Sequence, residues 1–195
     1  LPNLPQQGGH DILVKNNKVI NNDTPNFAPE GNIVGKTPNG TGIMVMANEN
    51  VILEENFIEG NATAGILVVS YLEEYEDDKY NPLPNRIYIT NNQLNNNGYS
   101  VDSKRAEPIA FLTKDKAPEI IWDGVTNFPE WLGLKKQERL ILGDNRTKGG
   151  KTDMINLNLM TYALLPWYHE PKVNYDDYKG EKIPITPVKF EKIWQ

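Results

Sequence analysis

Apolar and polar positions along this chain fall into one short pattern that returns three times with the same internal spacing. It reads Ile12-x-Val14-x-x-Asn17-x-Val19-x-x-Asn22, then Val51-x-Leu53-x-x-Asn56-x-Ile58-x-x-Asn61, then Ile87-x-Ile89-x-x-Asn92-x-Leu94-x-x-Asn97. Two apolar residues two apart form one buried face of a β-strand, because side chains alternate sides along a strand. The Asn three positions on breaks that strand, and the next apolar residue starts a second one facing inward again. Such a unit cannot bury its apolar side alone and has to stack on copies of itself. The pattern therefore predicts an all-β solenoid.

A second strand type lies between the repeats, at residues 42–47 (GIMVMA) and 65–71 (GILVVSY). Ile43 and Ile66 are 23 positions apart, a fitting length for one coil of three short strands and three turns. Successive corner Asn residues are 39 and 36 apart, and the excess falls in two Pro-containing stretches, 23–40 and 73–86, expected to be inserted loops. Ile109 and Phe111 are expected to supply the next strand of the sheet begun by Ile43 and Ile66. Pro129 at a first helical position predicts a short helix over 129–138. Leu140-x-Leu142-x-x-Asn145 reads as a fourth, degenerate copy, followed by a strand through Ile155, Leu157 and Leu159. Beyond it the chain is rich in aromatics (Tyr162, Trp167, Tyr168, Tyr175, Tyr178, Phe190, Trp194) and in Pro. Prolines keep this stretch out of central strands, and so many aromatic rings are costly to leave in water. The expected organisation is β-helix coils over 1–159 and an extended tail over 160–195 packed along them.

A chain of 195 residues with a net charge of −6 offers no basic face for nucleic acid or for an anionic membrane surface. There are no cysteines, which excludes disulfides and thiolate chemistry. No apolar run approaches the roughly 20 residues that span a bilayer. Residues 1–9 (LPNLPQQGG) form neither a signal peptide nor a lipid-attachment sequence, and a repeat begins at Ile12. Solenoids normally carry a terminal cap, so further N-terminal coils and a cap are expected to precede this segment in a longer protein. Four N-x-Ser/Thr sequons, at Asn22, Asn39, Asn61 and Asn145, are what so Asn-rich a chain supplies by chance.

Candidate chemistry is sparse. Asn17, Asn56 and Asn92 are expected to stack as a structural ladder, each amide donating to one neighbour and accepting from the other. With Ile43, Val45, Ile66 and Val68 inward, the outward face of that sheet presents Met44, Met46, Leu67, Val69 and Tyr71. This apolar surface is expected to be covered by the tail or by a partner. On the other face Lys15 and Glu54 become neighbours, as a surface ion pair of little energetic weight. The acidic loop of Glu73, Glu74, Glu76, Asp77 and Asp78 could offer oxygens to Ca²⁺ but has no calcium-loop spacing, and a solvated charge run is the preferred reading. Asp123 and Asp144 read as turn residues before they read as a catalytic pair. His10 and His169 sit beside Asp11 and Glu170 but belong to no nucleophile or metal motif. No catalytic residue, metal ligand or cofactor is assigned.

The coils resemble right-handed parallel β-helix proteins of the pectin-lyase-like class. More closely, the chain resembles the C-terminal portion of an exported bacterial family of parallel β-helix repeat proteins of uncharacterised activity. The resemblance rests on 26–31 (NFAPEG), Pro38-x-Gly40-Thr41-Gly42-Ile43, Val69-Ser70-Tyr71, 78–82 (DKYNP), Ile87-Tyr88-Ile89 and Ile121-Trp122-Asp123-Gly124, and it covers about residues 5–145. It implies an extracytoplasmic protein, in the periplasm or at the cell surface and lipid-anchored through preceding residues. It also implies an exported partner protein or outer-membrane complex. Together these features predict a non-catalytic binding or scaffold module for a partner protein or a glycan. The alternative is a polysaccharide lyase or epimerase whose active coils precede residue 1.

Overall fold

A computed structural model describes residues 8–29, 31–73, 76–114, 116–135 and 138–184. The first pass of the chain contains β1 (His10–Lys15), β2 (Lys18–Ile20) and β3 (Thr41–Met46). The second contains β4 (Glu49–Glu54), β5 (Phe57–Glu59) and β6 (Ala64–Val69). The third contains β7 (Asn85–Thr90) and β8 (Gln93–Asn95), then helix α1 (Glu107–Thr113), then β9 (Ile120–Trp122). After helix α2 (Phe128–Trp131) the fourth runs through β10 (Leu140–Leu142), β11 (Arg146–Thr147), β12 (Gly150–Lys151) and β13 (Met154–Asn156), and helix α3 (Leu159–Leu164) follows. Three sheets result, ordered β1-β4-β7-β10, β12-β11-β8-β5-β2 and β13-β9-β6-β3. All pairings are parallel except β11 with β12.

Register follows the apolar pattern. Val14 lies beside Leu53, Leu53 beside Ile89, and Ile89 beside Leu142. Val19, Ile58 and Leu94 align in the second sheet, and Val45, Val68 and Trp122 in the third. These columns meet in one core, in which Leu53, Ile58, Ile66, Ile87, Ile89, Leu94 and Leu142 are fully buried. Each such side chain contributes about 1.5–3 kcal/mol.

The corners explain the paired Asn residues. Asn16, Asn21, Asn91 and Asn96 hold left-handed backbone, with φ of 59°, 54°, 53° and 52°. Asn tolerates that region better than most residues. The residue that follows each of them turns its side chain to the neighbouring pass.

The expected fold class requires correction. The chain is not a single closed all-β solenoid with an extended tail; it is three mostly parallel sheets with helices added, an α/β-like arrangement. Helix α1 interrupts the third pass, and Ile109 and Phe111 lie in it rather than in a strand. Pro108 occupies its first turn, where a missing N–H costs nothing. Leu159, expected in a strand, opens α3. Within the expected tail lie α3 and two 3-10 turns at Pro166–Tyr168 and Tyr175–Tyr178. Phe190 and Trp194 fall outside the described residues.

Candidate functional site

Two columns of amides run beside the core. Asn17 Nδ2 donates to Asn56 Oδ1 at 3.0 Å, Asn56 Nδ2 to Asn92 Oδ1 at 2.9 Å, and Asn92 Nδ2 to Asn145 Oδ1 at 2.9 Å. Each acceptor oxygen also takes the backbone N–H of the preceding Asn. This ladder-like bonding joins the expected Asn17, Asn56 and Asn92 and extends to Asn145. A second column links Asn22, Asn61 and Asn97 at 2.7 Å per step and ends on the buried Glu119, whose Oε2 accepts from Asn97 Nδ2 at 2.5 Å. Burial pushes the Glu119 pKa upward against the pull of the Asn97 donors. Apart from the exposed heads Asn17 and Asn22, the amides of these columns are used structurally, so they are poor places for ligand chemistry.

The open surface lies on the third sheet. Its outward residues Met44, Leu67, Ile121 and Ile155 are packed under Ala106, Ile109 and Leu112 from and around α1, and under Leu159 of α3. Leu67 is therefore buried, while Met44, Met46, Val69 and Tyr71 stay half-buried. A cavity of about 240 Å³ remains beside them, with Asp123 among its lining residues. Next to it, sharing Leu72, Pro108 and Leu159, a groove of about 560 Å³ opens between α1 and α3. Phe111, Leu112, Met160 and Tyr162 line it, with Glu107 and His169 as its charged or titratable groups. Phe111 is 76% and Tyr162 54% exposed.

Asp123 is the one strongly perturbed acid in this region. Its Oδ2 accepts from Ser70 N–H at 2.6 Å and its Oδ1 from Val125 N–H at 3.0 Å. Burial nonetheless pushes its pKa up to about 6, against the pull of both N–H groups, the Ser70 side chain and the Arg139 charge. Both oxygens thus fasten turns, the structural role expected of it.

The other candidates stay apart. Asp144 is exposed and follows β10 of the first sheet, whereas Asp123 follows β9 of the third. The His10 side chain is exposed and lies 2.9 Å from Asp11. His169 Nε2 lies 2.7 Å from the Leu157 carbonyl and its ring sits edge-on to Tyr162. Lys15 and Glu54 do meet, at 3.3 Å, and Lys182 joins them at 2.8 Å from Glu54, which lowers the Glu54 pKa. In the acidic loop Glu73 pairs with Lys36 at 2.7 Å, and Glu74 lies outside the described residues. Among the described residues no three acidic, His or Cys side chains form a metal-holding group, and no helix is long and apolar enough to cross a membrane.

Several residues that shape the site were invisible to pattern reading. Phe111 reaches the groove because α1 is a helix, and Met160 and Tyr162 because α3 is one. Pro108, directly after an acidic residue, was the available helix-start signal. Arg139 and Glu130, joined by a buried bidentate pair at 2.6 and 2.9 Å, hold α2 to the start of β10 and follow no motif. Comparison with protein-family models, curated proteins and solved structures gives no match for the chain.

Proposed function

We propose that this chain is a non-catalytic binding or scaffold module of an exported, surface-associated protein, and that the groove between α1 and α3 receives apolar side chains of a partner protein. One observation carries the reading: after the chain's own helices have covered most of the outward face, an apolar groove flanked by exposed Phe111 and Tyr162 is left over. Large aromatic side chains at the mouth of a preformed groove are the usual anchors of protein association. A glycan is the poorer fit. Its hydroxyls would lose water against Leu72, Leu112, Leu159 and Met160, with few polar groups to replace it. Export rests on the resemblance to an exported bacterial family.

The test uses Phe111→Asp, which places a charge at the groove without opening the core. Phe27→Asp serves as the control, since Phe27 is 91% exposed and does not line the groove. The full chain is expected to form a stoichiometric complex with one envelope protein. That complex should survive gel filtration of the purified pair, be lost in Phe111→Asp and be retained in Phe27→Asp. Failure to form it sinks the reading. Release of unsaturated uronate products from a polymer by the full-length protein would favour the lyase alternative instead.

A further inference from the structure

The cavity of about 240 Å³ over the third sheet combines apolar walls with one buried acid. Met44 and Met46 of β3 and Leu67 and Val69 of β6 line it. Asp123, just after β9, and Leu157, just after β13, line it as well. All four passes therefore contribute to the cavity, and a coil stacked before β1 would leave it open.

The charges around the cavity are matched except for that acid. Lys36 pairs with Glu73 at 2.7 Å, and Arg105 pairs with Asp102 at 3.3 Å while its Nε donates to the Gly35 carbonyl at 2.8 Å. The charge of Arg139 is felt by Asp123, but its guanidinium is held by Glu130 at 2.6 and 2.9 Å. Glu107 and His169 stand in the adjoining groove. Asp123 is 6% exposed, and among the described residues no cation pairs with it. The Ser70 and Val125 N–H groups take one acceptor direction of each of its oxygens and leave the others. An apolar side chain seated there would strip the last water from an unpaired carboxylate, a loss that a cation offsets.

We propose that this cavity receives one lysine side chain of the partner protein, with its alkyl stem along Met44, Met46, Leu67 and Val69 and its ammonium on the Asp123 carboxylate. The proposal rests on the reading of the neighbouring groove as a protein-binding site and adds the charge of the partner's anchor. A compact ammonium on a slender stem suits apolar walls that lead to a single acid. The guanidinium fork of arginine fits less well, because it seeks two free parallel acceptors and both Asp123 oxygens are already engaged. Apolar neighbours of the lysine then fill the groove between α1 and α3, which the cavity adjoins through Leu72, Pro108 and Leu159.

The probe is n-pentylammonium, a mimic of the lysine side chain, titrated into the full chain and followed by amide NMR, with n-pentanol as its neutral counterpart. Saturable shifts are expected at the Ser70 and Val125 amides, with a Kd on the order of millimolar, the range open to so few heavy atoms. The alcohol should bind at least about tenfold more weakly. Burial pushes the Asp123 pKa up to about 6, so its charge is present at pH 7.5 and mostly gone at pH 5. The amine stays protonated across that range, and its affinity should fall about tenfold on acidification. That fall should track the Asp123 carboxyl carbon shift rather than the ring shifts of His169. Absence of saturable shifts at Ser70 and Val125, equal binding of amine and alcohol, or a fall that tracks His169 would each overturn the proposal. The probe reads the cavity on the chain alone and Phe111→Asp reads the groove in the complex, so the two readings can fail separately.

Discussion

Asn56 stands in the middle of its column, 2% exposed, and uses its whole amide. Its Oδ1 accepts from the N–H and Nδ2 of Asn17, and its Nδ2 donates to the Val14 carbonyl and to Asn92 Oδ1. Leu has a similar volume but strands the buried groups that met that amide. Unmet buried groups cost roughly 1–3 kcal/mol each, partly relieved by relaxation, so Asn56→Leu is expected to lose about 2–4 kcal/mol in a urea melt. Asn17→Leu, at the exposed head of the column, should lose less than about 1 kcal/mol. Equal losses would mean that the column contributes no more inside the molecule than at its edge. Asp123 supplies a pH-dependent counterpart. Its folded pKa of about 6 stands above its ordinary 3.8, so the folded state holds the proton more tightly. That contribution is complete below pH 3.8 and is lost as pH rises through about 6. Asp123→Asn, which cannot ionise, should therefore cost more relative to the parent at pH 4 than at pH 7. The difference between the two pH values is on the order of 2 kcal/mol, short of the full shift because the unfolded carboxyl is already partly ionised at pH 4. Urea midpoints at the two pH values measure it, and parallel behaviour of parent and variant would assign the pH dependence elsewhere.

Among the elements, the strands were legible and so was the start of the short α2, which Pro129 signals, whereas α1 and α3 were not, and the reason is periodicity. Ile12 with Val14, Val51 with Leu53 and Ile87 with Ile89 sit two apart before an Asn, and they pair in that register in one sheet. Ile109 and Phe111 are also two apart, yet they open in different directions on α1: Ile109 is 5% exposed under the helix and Phe111 faces solvent. Two apolar residues cannot distinguish a period of 2 from one of 3.6; only a longer run or a start signal such as Pro108 can. The same ambiguity put Leu159 in a strand. The candidate site suffered accordingly. Its sheet half (Met44, Leu67, Val69) was readable from alternation, whereas Phe111, Met160 and Tyr162 of its helical half were not. The second amide column was present in the pattern at Asn22, Asn61 and Asn97, but its end at Glu119 belongs to no repeat. Its role comes from tertiary placement 22 residues on. Arg139 and Glu130 likewise meet only because α2 folds back on the start of β10.

At the scale of the whole molecule, the chain itself closes the β10 and β13 end of its sheets, and that closure can be measured. The closed end depends on two tyrosines from one 3-10 turn, Tyr175–Tyr178. The Tyr175 hydroxyl accepts from Asn145 Nδ2 at 2.7 Å and donates to the Gly143 carbonyl at 2.6 Å, so it ends the first amide column as a further Asn would. The Tyr178 hydroxyl accepts from Asn156 Nδ2 at 2.8 Å, beside the last strand of the third sheet. Burial pushes both phenol pKa values upward, so the hydroxyls remain protonated donors through the neutral range. The rings meanwhile shield the end of the core that contains Leu142, Trp122 and Met154. Replacing both residues by Phe keeps that shielding and removes only the polar closure, which should cost about 1–3 kcal/mol in total. The loss is local: the amide bonds of β10 and β13 lie next to the altered end, whereas those of β4 lie two passes away. Sub-global opening carries its own free energy, so hydrogen exchange in β10 and β13 should accelerate about tenfold or more while β4 exchanges at the parent rate. Acceleration spread evenly over all three sheets would instead describe a molecule that opens only as one unit, and the tyrosine closure would then have no local energetic content.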